Sequence, residues 1–168
     1  GNYANIRLRM NPKFMGSDQN WSSLFVEARR YHRFTRDTNK QNMLAIRHFL
    51  WTVFNTHAPY LDLPSLAGDT YNTSGRGFPL GRFRGKTLYY AEAEYRRNIT
   101  DNGLFGFVLF ANATTVDGPG SKFFKTWNIG SGAGARIKFN KNSGTNIAID
   151  YGISRHHRGV HLSLGEVF

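Results

Sequence analysis

Apolar and polar side chains alternate with a period of two along most of the chain. Residues 3–10 set Ile6, Leu8 and Met10 against Arg7 and Arg9, and residues 21–34 set Leu24, Val26 and Ala28 against Glu27 and Arg29. A period of two is the mark of a strand with two unlike faces. Residues 42–56 place Leu44, Ile46 and Leu50 opposite Arg47. A helix competes there, because Met, Leu and Ala are good helix formers. The β-branched and aromatic run Trp51-Thr52-Val53-Phe54 favours a strand. In residues 87–97, Tyr89, Ala91, Ala93 and Tyr95 face away from Glu92, Glu94 and Arg96. Asp101-Asn102-Gly103 then signals a tight hairpin. Residues 104–116 carry Phe105, Phe107, Leu109 and Ala111 on one face. Residues 133–140 alternate Ala135, Ile137 and Phe139 with Gly134, Arg136 and Lys138. Residues 145–154 alternate Ile147, Ile149 and Tyr151 with Asn146, Ala148 and Asp150, and residues 159–168 align Val160, Leu162, Leu164 and Phe168. The pattern predicts an all-β, antiparallel fold of about eight strands in a single unit over residues 1–168.

The connections fall into two sets. Those at 11–20, 57–86 and 117–132 are long, with 155–158 placed among them; those at 35–41, 101–103 and 141–144 are short. Long loops at one end and short turns at the other are the layout of an outer-membrane β-barrel. The uncharged faces are the ones such a barrel turns to lipid, and the charged faces suit its lumen. A soluble antiparallel sandwich is the competing architecture, with the same charges turned to water. The connection 57–86 is the most unusual feature. It starts near His57, has no strand or helix pattern, and gathers glycines, three arginines and a lysine in Ser74–Lys86. Loops of about 30 residues are uncommon and usually functional.

Charge sharpens this picture. Of 168 residues, 22 are Lys or Arg and 11 Asp or Glu, a net charge of +11. A surplus of that size suits polyanionic surroundings, either nucleic acid or membrane phosphates. A stacking platform for nucleic acid needs aromatics on the same face as the basic residues. The pattern sets them opposite the charges in residues 87–95 and 104–111, which argues against nucleic acid as a partner. There is no cysteine and hence no thiol chemistry. The longest charge-free apolar run, Leu104–Val116, is short of the ~20 residues of a spanning helix, while a spanning strand needs only ~9–11. With no leader and no initiating Met, the chain reads as a processed product or a fragment.

Catalytic signals are weak. Gly81-Arg82-Phe83-Arg84-Gly85-Lys86-Thr87 approaches a phosphate-binding loop, but that loop needs glycine at position 80, which is Leu80, and must open a helix. His156 and His157 are adjacent, flanked by Arg155 and Arg158, and point apart in an extended chain. Glu92 and Glu94 lie about 7 Å apart along a strand; they read as lumen carboxylates for arginines rather than as an acid–base pair. The expectation is a non-enzyme, with no catalytic residues, no cofactor and no metal.

Several segments resemble the bacterial surface antigen family, the BamA-type outer-membrane assembly and translocation barrels. They are Gly75-Arg76-Gly77-Phe78, Gly81–Lys86, Tyr90–Arg96, Phe110-Ala111-Asn112-Ala113, Gly134–Lys138, Thr145–Gly152 and the terminal Leu164–Phe168. Glu27–Tyr31 and Leu44–Arg47 extend the likeness, and Pro59–Pro64 looks like Bacteroidetes-type members. The resemblance implies sixteen-stranded barrels whose sixth outer loop folds into the lumen. Its tip motif, Val or Ile, then Arg-Gly, then Phe or Tyr, falls on Gly75, Arg76, Gly77 and Phe78. It implies that Arg76 pairs with lumen residues at positions 94, 112 and 150. The family's second acid is Asn112 in this chain, leaving Glu94 as the facing carboxylate, with Asp150 a further inward one. It implies that Phe168 is a C-terminal assembly signal. The implied role is insertion or translocation of proteins at the bacterial outer membrane. The implied partners are membrane lipid, lipopolysaccharide, and unfolded outer-membrane or exported proteins. A barrel that anchors or exports an attached enzyme, such as a patatin-like lipase, is the alternative.

Eight strands make half of such a wall. The interior of an eight-stranded barrel is just filled by its own side chains and leaves no room for a 30-residue loop. Either the chain closes alone as a small barrel with the loop outside, or a second half-barrel or subunit completes the wall.

Overall fold

The computed structural model describes residues 1–35, 41–54, 58–69, 73–118, 122–140 and 145–168. The expected turns at 35–41 and 141–144 fall almost wholly outside the described residues, as do His57 and short parts of the connections at 57–86 and 117–132. Eight strands form one antiparallel sheet in chain order: β1 (Asn2–Asn11), β2 (Trp21–Arg33), β3 (Asn42–Val53), β4 (Thr87–Asn98), β5 (Phe105–Asp117), β6 (Asn128–Asn140), β7 (Thr145–Ser154) and β8 (His157–Leu164). The only helical pieces described are single 3-10 turns at Lys13–Met15 and Tyr60–Asp62. The all-β antiparallel class is therefore established.

Alternation fixes the register, because a slip of one residue would turn every side chain to the other face. Leu50 lies opposite Tyr89, and Ala93 opposite Ala111. The two faces differ as the sequence suggests, but with the usual order inverted. Leu109 is 50% exposed and Leu162 74% exposed, with Ile46, Phe105, Ile149, Tyr151 and Val160 also open. Glu27, Arg47, Glu92, Glu94, Arg96, Arg136 and Asp150 are buried on the other face.

The sheet is strongly curved. Neighbouring strands lie ~4.8 Å apart, so a flat sheet would hold β4 and β7 about 14 Å apart. Arg76 nevertheless bonds Glu92 and Glu94 on β4 and Asp150 on β7 at once. The described part of the connection between β3 and β4 fills this concave face. Leu66 packs with Phe25, Phe49, Leu88, Tyr90 and Val116, and Phe78 and Phe83 lean on the cluster.

Five expectations are corrected. The sheet is open: β1 pairs only with β2 and β8 only with β7 among the described residues. A small closed barrel is thus not formed, because the loop occupies the space that closure would need. Strand β6 begins at Asn128 rather than 133. Asn128–Gly132 reads as loop because of its glycines, yet Gly130 faces inward, where a Cβ would stand 2.7 Å from Asn112 Oδ1 and 2.9 Å from the Phe78 ring. Gly130 makes room for the loop, and Gly132 for the Phe110 ring. Residues 155–158 are no long connection, since β8 starts at His157. Strand β8 stops at Leu164, where Gly165 adopts φ +93°. The chain then turns under the sheet, and Phe168, 8% exposed, packs with Val167, Ala45 and Tyr31 instead of continuing the outer row. Finally, the aromatics do not all oppose the charges: Tyr90 and Phe110 lie on the inner face beside Glu92, Glu94 and Asn112.

Candidate functional site: a buried arginine network beneath the long connection

Two glycines shape the tip of the connection. Gly75 and Gly77 both take the left-handed conformation, with φ +83° and +91°. Glycine adopts it at no steric cost. The Phe78 N–H donates to Gly75 O at 2.9 Å, closing a tight turn around Arg76. The Gly75 N–H donates to Tyr90 Oη at 3.0 Å. Gly77 sits against β7, where a Cβ on Gly152 would be 2.6 Å from Gly77 N. The Ser154 hydroxyl donates to Gly77 O at 2.8 Å. Phe78 meets Phe83 edge to face at 5.5 Å.

This turn delivers a guanidinium, 3% exposed, into a set of carboxylates. Arg76 donates to Glu92, to Glu94, and to Asp150 Oδ2 at 2.6 Å. Its plane lies over the Phe110 ring at 3.7 Å. Burial works against the charge, but Glu92, Glu94 and Asp150 hold the guanidinium above its ordinary affinity for a proton. Arg96 Nε donates to Glu94 at 2.5 Å, and Arg136 donates to Asp150 at 2.5 Å and to Glu166 at 2.9 Å. The result is a single lattice in which three arginines share four carboxylates. A fork of fixed donors suits this sharing better than a lysine point charge.

A second anchor lies nearer β2. Arg47 donates to Glu27 at 2.6 Å, to Asp69 at 2.9 Å and to Thr73 at 2.9 Å. Asp69 also accepts from the Ser74 hydroxyl at 2.5 Å and from its backbone N–H at 3.1 Å. Burial alone would push the Asp69 carboxyl up. Arg47 and the Ser74 donors more than offset it and hold the group below the usual carboxylate range.

The residues expected to surround the tip do so, with one addition and one change of role. Glu94 and Asp150 face Arg76. Asn112 lies beside it, but its Nδ2 donates to Arg76 O at 3.0 Å, so it holds the backbone and not the guanidinium. The expectation of a single facing carboxylate is corrected to three, and Glu92 is the member that was missed. Period-two alternation already placed Glu92 on the face of Glu94. Asp69 sits in an irregular loop and gave no such signal. Phe168 is buried, with its carbonyl accepting from Arg96 Nη2 at 2.7 Å and its ring beneath that guanidinium at 5.2 Å. In the folded chain this residue is a plug on the inner face rather than an exposed tail.

No protein-family model matches the chain, and no curated protein matches it. Each carboxylate of the lattice is held by an arginine, and Glu92 also accepts from Tyr90 Oη. Such groups are poor proton acceptors for a substrate and good fasteners for a backbone. His157 Nε2 takes a hydrogen bond from Arg82 at 2.9 Å. Among the described residues no three His, Asp or Glu side chains are placed to hold a metal ion.

Proposed function

We propose that this chain is half the wall of an outer-membrane β-barrel of the surface-antigen type, and that it takes part in inserting or translocating proteins at the bacterial outer membrane. The observation that carries this reading is the inverted distribution of side chains. Rows of Ile, Leu, Val, Phe and Tyr are open on the convex face, while arginines and carboxylates are buried on the concave one. Water would penalise both choices; lipid outside and a filled lumen inside favour both.

Two further features support it. Open edges at β1 and β8 are untenable in hydrocarbon, where every backbone polar group needs a partner. A second set of strands, from the same or another polypeptide, would satisfy both. The loop tip matches the motif position by position at Arg76, Gly77 and Phe78, and it is fastened where a lumen loop needs fastening. The role is non-enzymatic: the loop braces the wall while client strands meet its edge. The partners are membrane lipid, lipopolysaccharide, and unfolded outer-membrane or exported proteins, with no nucleic acid.

The test is reconstitution of the full chain in phosphatidylcholine vesicles, followed by the folding rate of an unfolded outer-membrane protein added from urea. The rate is expected to rise above that of empty vesicles, and to fall back with Arg76→Ala but not with Arg33→Ala. A chain that needs no detergent and ignores vesicles would overturn the membrane reading. Equal rates with and without the inserted chain would overturn the role.

A further inference from the structure

The rim carrying the long connections holds a notch. Gly130 of β6 lies opposite Ser154, the last residue of β7, whereas Asn128 and Ile129 pair only with β5. Strand β6 therefore outruns β7 by two residues at this end. A cleft of about 360 Å³ fills the step, walled by Phe78, Phe83 and Trp127 and edged by Arg82, Arg155 and His157. No carboxylate lines it among the described residues. Among the described residues Arg82 and Arg155 meet no carboxylate elsewhere either, in contrast to the buried arginines of the concave face. Because an arginine only donates, the 2.9 Å contact makes His157 Nε2 the acceptor, and among the described residues the other guanidinium donors of Arg82 have no hydrogen-bond partner.

The cleft is continuous with the convex face. Ile129 forms its outer lip, and below it the exposed row runs through Ile153, Tyr151, Val160 and Leu162. Arg158, also exposed, heads this row opposite Ile153. Cations at a rim above an apolar strip match the two ends of an anionic amphiphile.

We propose that this notch binds the phosphate of a membrane lipid, whose acyl chains lie along the strip from Ile129 to Leu162. The assignment rests on the membrane reading above. Guanidinium groups bind phosphate oxygens in pairs, and the aromatic walls exclude water from the contact. A soluble anion would use the cations but leave the adjoining strip uncovered.

The experiment uses the full chain in a non-ionic detergent, with phosphatidic acid and phosphatidylcholine as probes and native mass spectrometry and Trp127 fluorescence as readouts. Phosphatidic acid is expected to be retained preferentially and to shift an emission that Trp127→Phe removes. The pair Arg82→Gln and Arg155→Gln is expected to weaken that preference about 30-fold, taking each rim cation as an independent contribution. The pair Arg33→Gln and Arg97→Gln, at the opposite rim, is expected to keep it. Unchanged preference in the first pair, or equal loss in both, overturns the site. Displacement of the lipid by inorganic phosphate reassigns it to a soluble anion and also overturns the proposal. Failure of the parent chain to enter phosphatidylcholine vesicles is the separate outcome that removes the membrane reading itself.

Discussion

Arg76 is held by carboxylates from two strands that are distant in sequence, so its removal strands several charges at once. Breaking one partner out of a buried ionic network costs ~3–5 kcal/mol. Arg76→Ala is expected to lower stability by about that amount, read as the temperature at which folded and heated forms lose their different gel mobilities in detergent. Arg33→Ala, exposed at the far rim, should leave the midpoint unchanged. The other anchor has a pH signature. Asp69 binds its proton more weakly in the fold than in the unfolded chain, so its contribution is complete above the ordinary carboxylate pKa, ~3.9. It is lost as pH falls through the still lower folded value. Proteolysis of residues 58–86 is expected to accelerate in that acid window. Asp69→Asn should already be susceptible at neutral pH, and an unchanged pH profile in that variant would remove Asp69 from the account.

At the level of elements, β6 and β7 form a bed for the loop. Gly130 and Gly152 face inward at the points where the Arg76–Gly77 backbone comes closest. Adding a methyl group to Gly152 would place it 2.6 Å from Gly77 N and 2.8 Å from Gly77 Cα, contacts that only a backbone shift relieves. Gly152→Ala is expected to cost ~1–3 kcal/mol and to release the loop to proteases while leaving strand content by circular dichroism intact. Loss of the strands instead would show that the glycine serves the sheet and not the loop. The tail after β8 acts in a comparable way. Gly165 turns the chain inward, Glu166 joins Arg136 at 2.9 Å and Asn146 at 2.7 Å, and Phe168 covers Ala45. These contacts tie the end of the last strand to β3, β6 and β7.

For the whole molecule, six of the eleven acidic side chains (Glu27, Asp69, Glu92, Glu94, Asp150 and Glu166) are bonded to arginines on the concave side. Among the described residues, Arg33, Arg97, Arg155 and Arg158 are exposed at the rims and Arg7 and Arg9 on the edge strand β1. Leu109 gives a direct test of what surrounds the convex face. On a soluble sheet, an arginine at a half-exposed position is nearly neutral in effect. Against hydrocarbon it costs ~2–4 kcal/mol near the midplane. Leu109→Arg is expected to show the larger penalty in lipid, measured by urea unfolding from phosphatidylcholine vesicles. A change within ±0.5 kcal/mol would argue that this face meets water.

Period-two alternation alone determined the strand class, seven of the eight strand starts to within two residues, and the face that most strand side chains take. The pleat forces successive side chains apart, and that rule is local. Glu92, Glu94, Arg136 and Asp150 could therefore be assigned to one face before any packing was known. Tertiary structure decided what closes around them. Curvature brought β7 to β4, so that one guanidinium meets three carboxylates. The loop's bulk and the Phe110 ring made Gly130 and Gly132 the floor of a strand, and room beneath the sheet drew Phe168 out of the last strand. Those outcomes depend on contacts between segments far apart in the chain, Arg76 with Asp150 and Phe168 with Ala45 among them, and a local pattern carries no information about such distances.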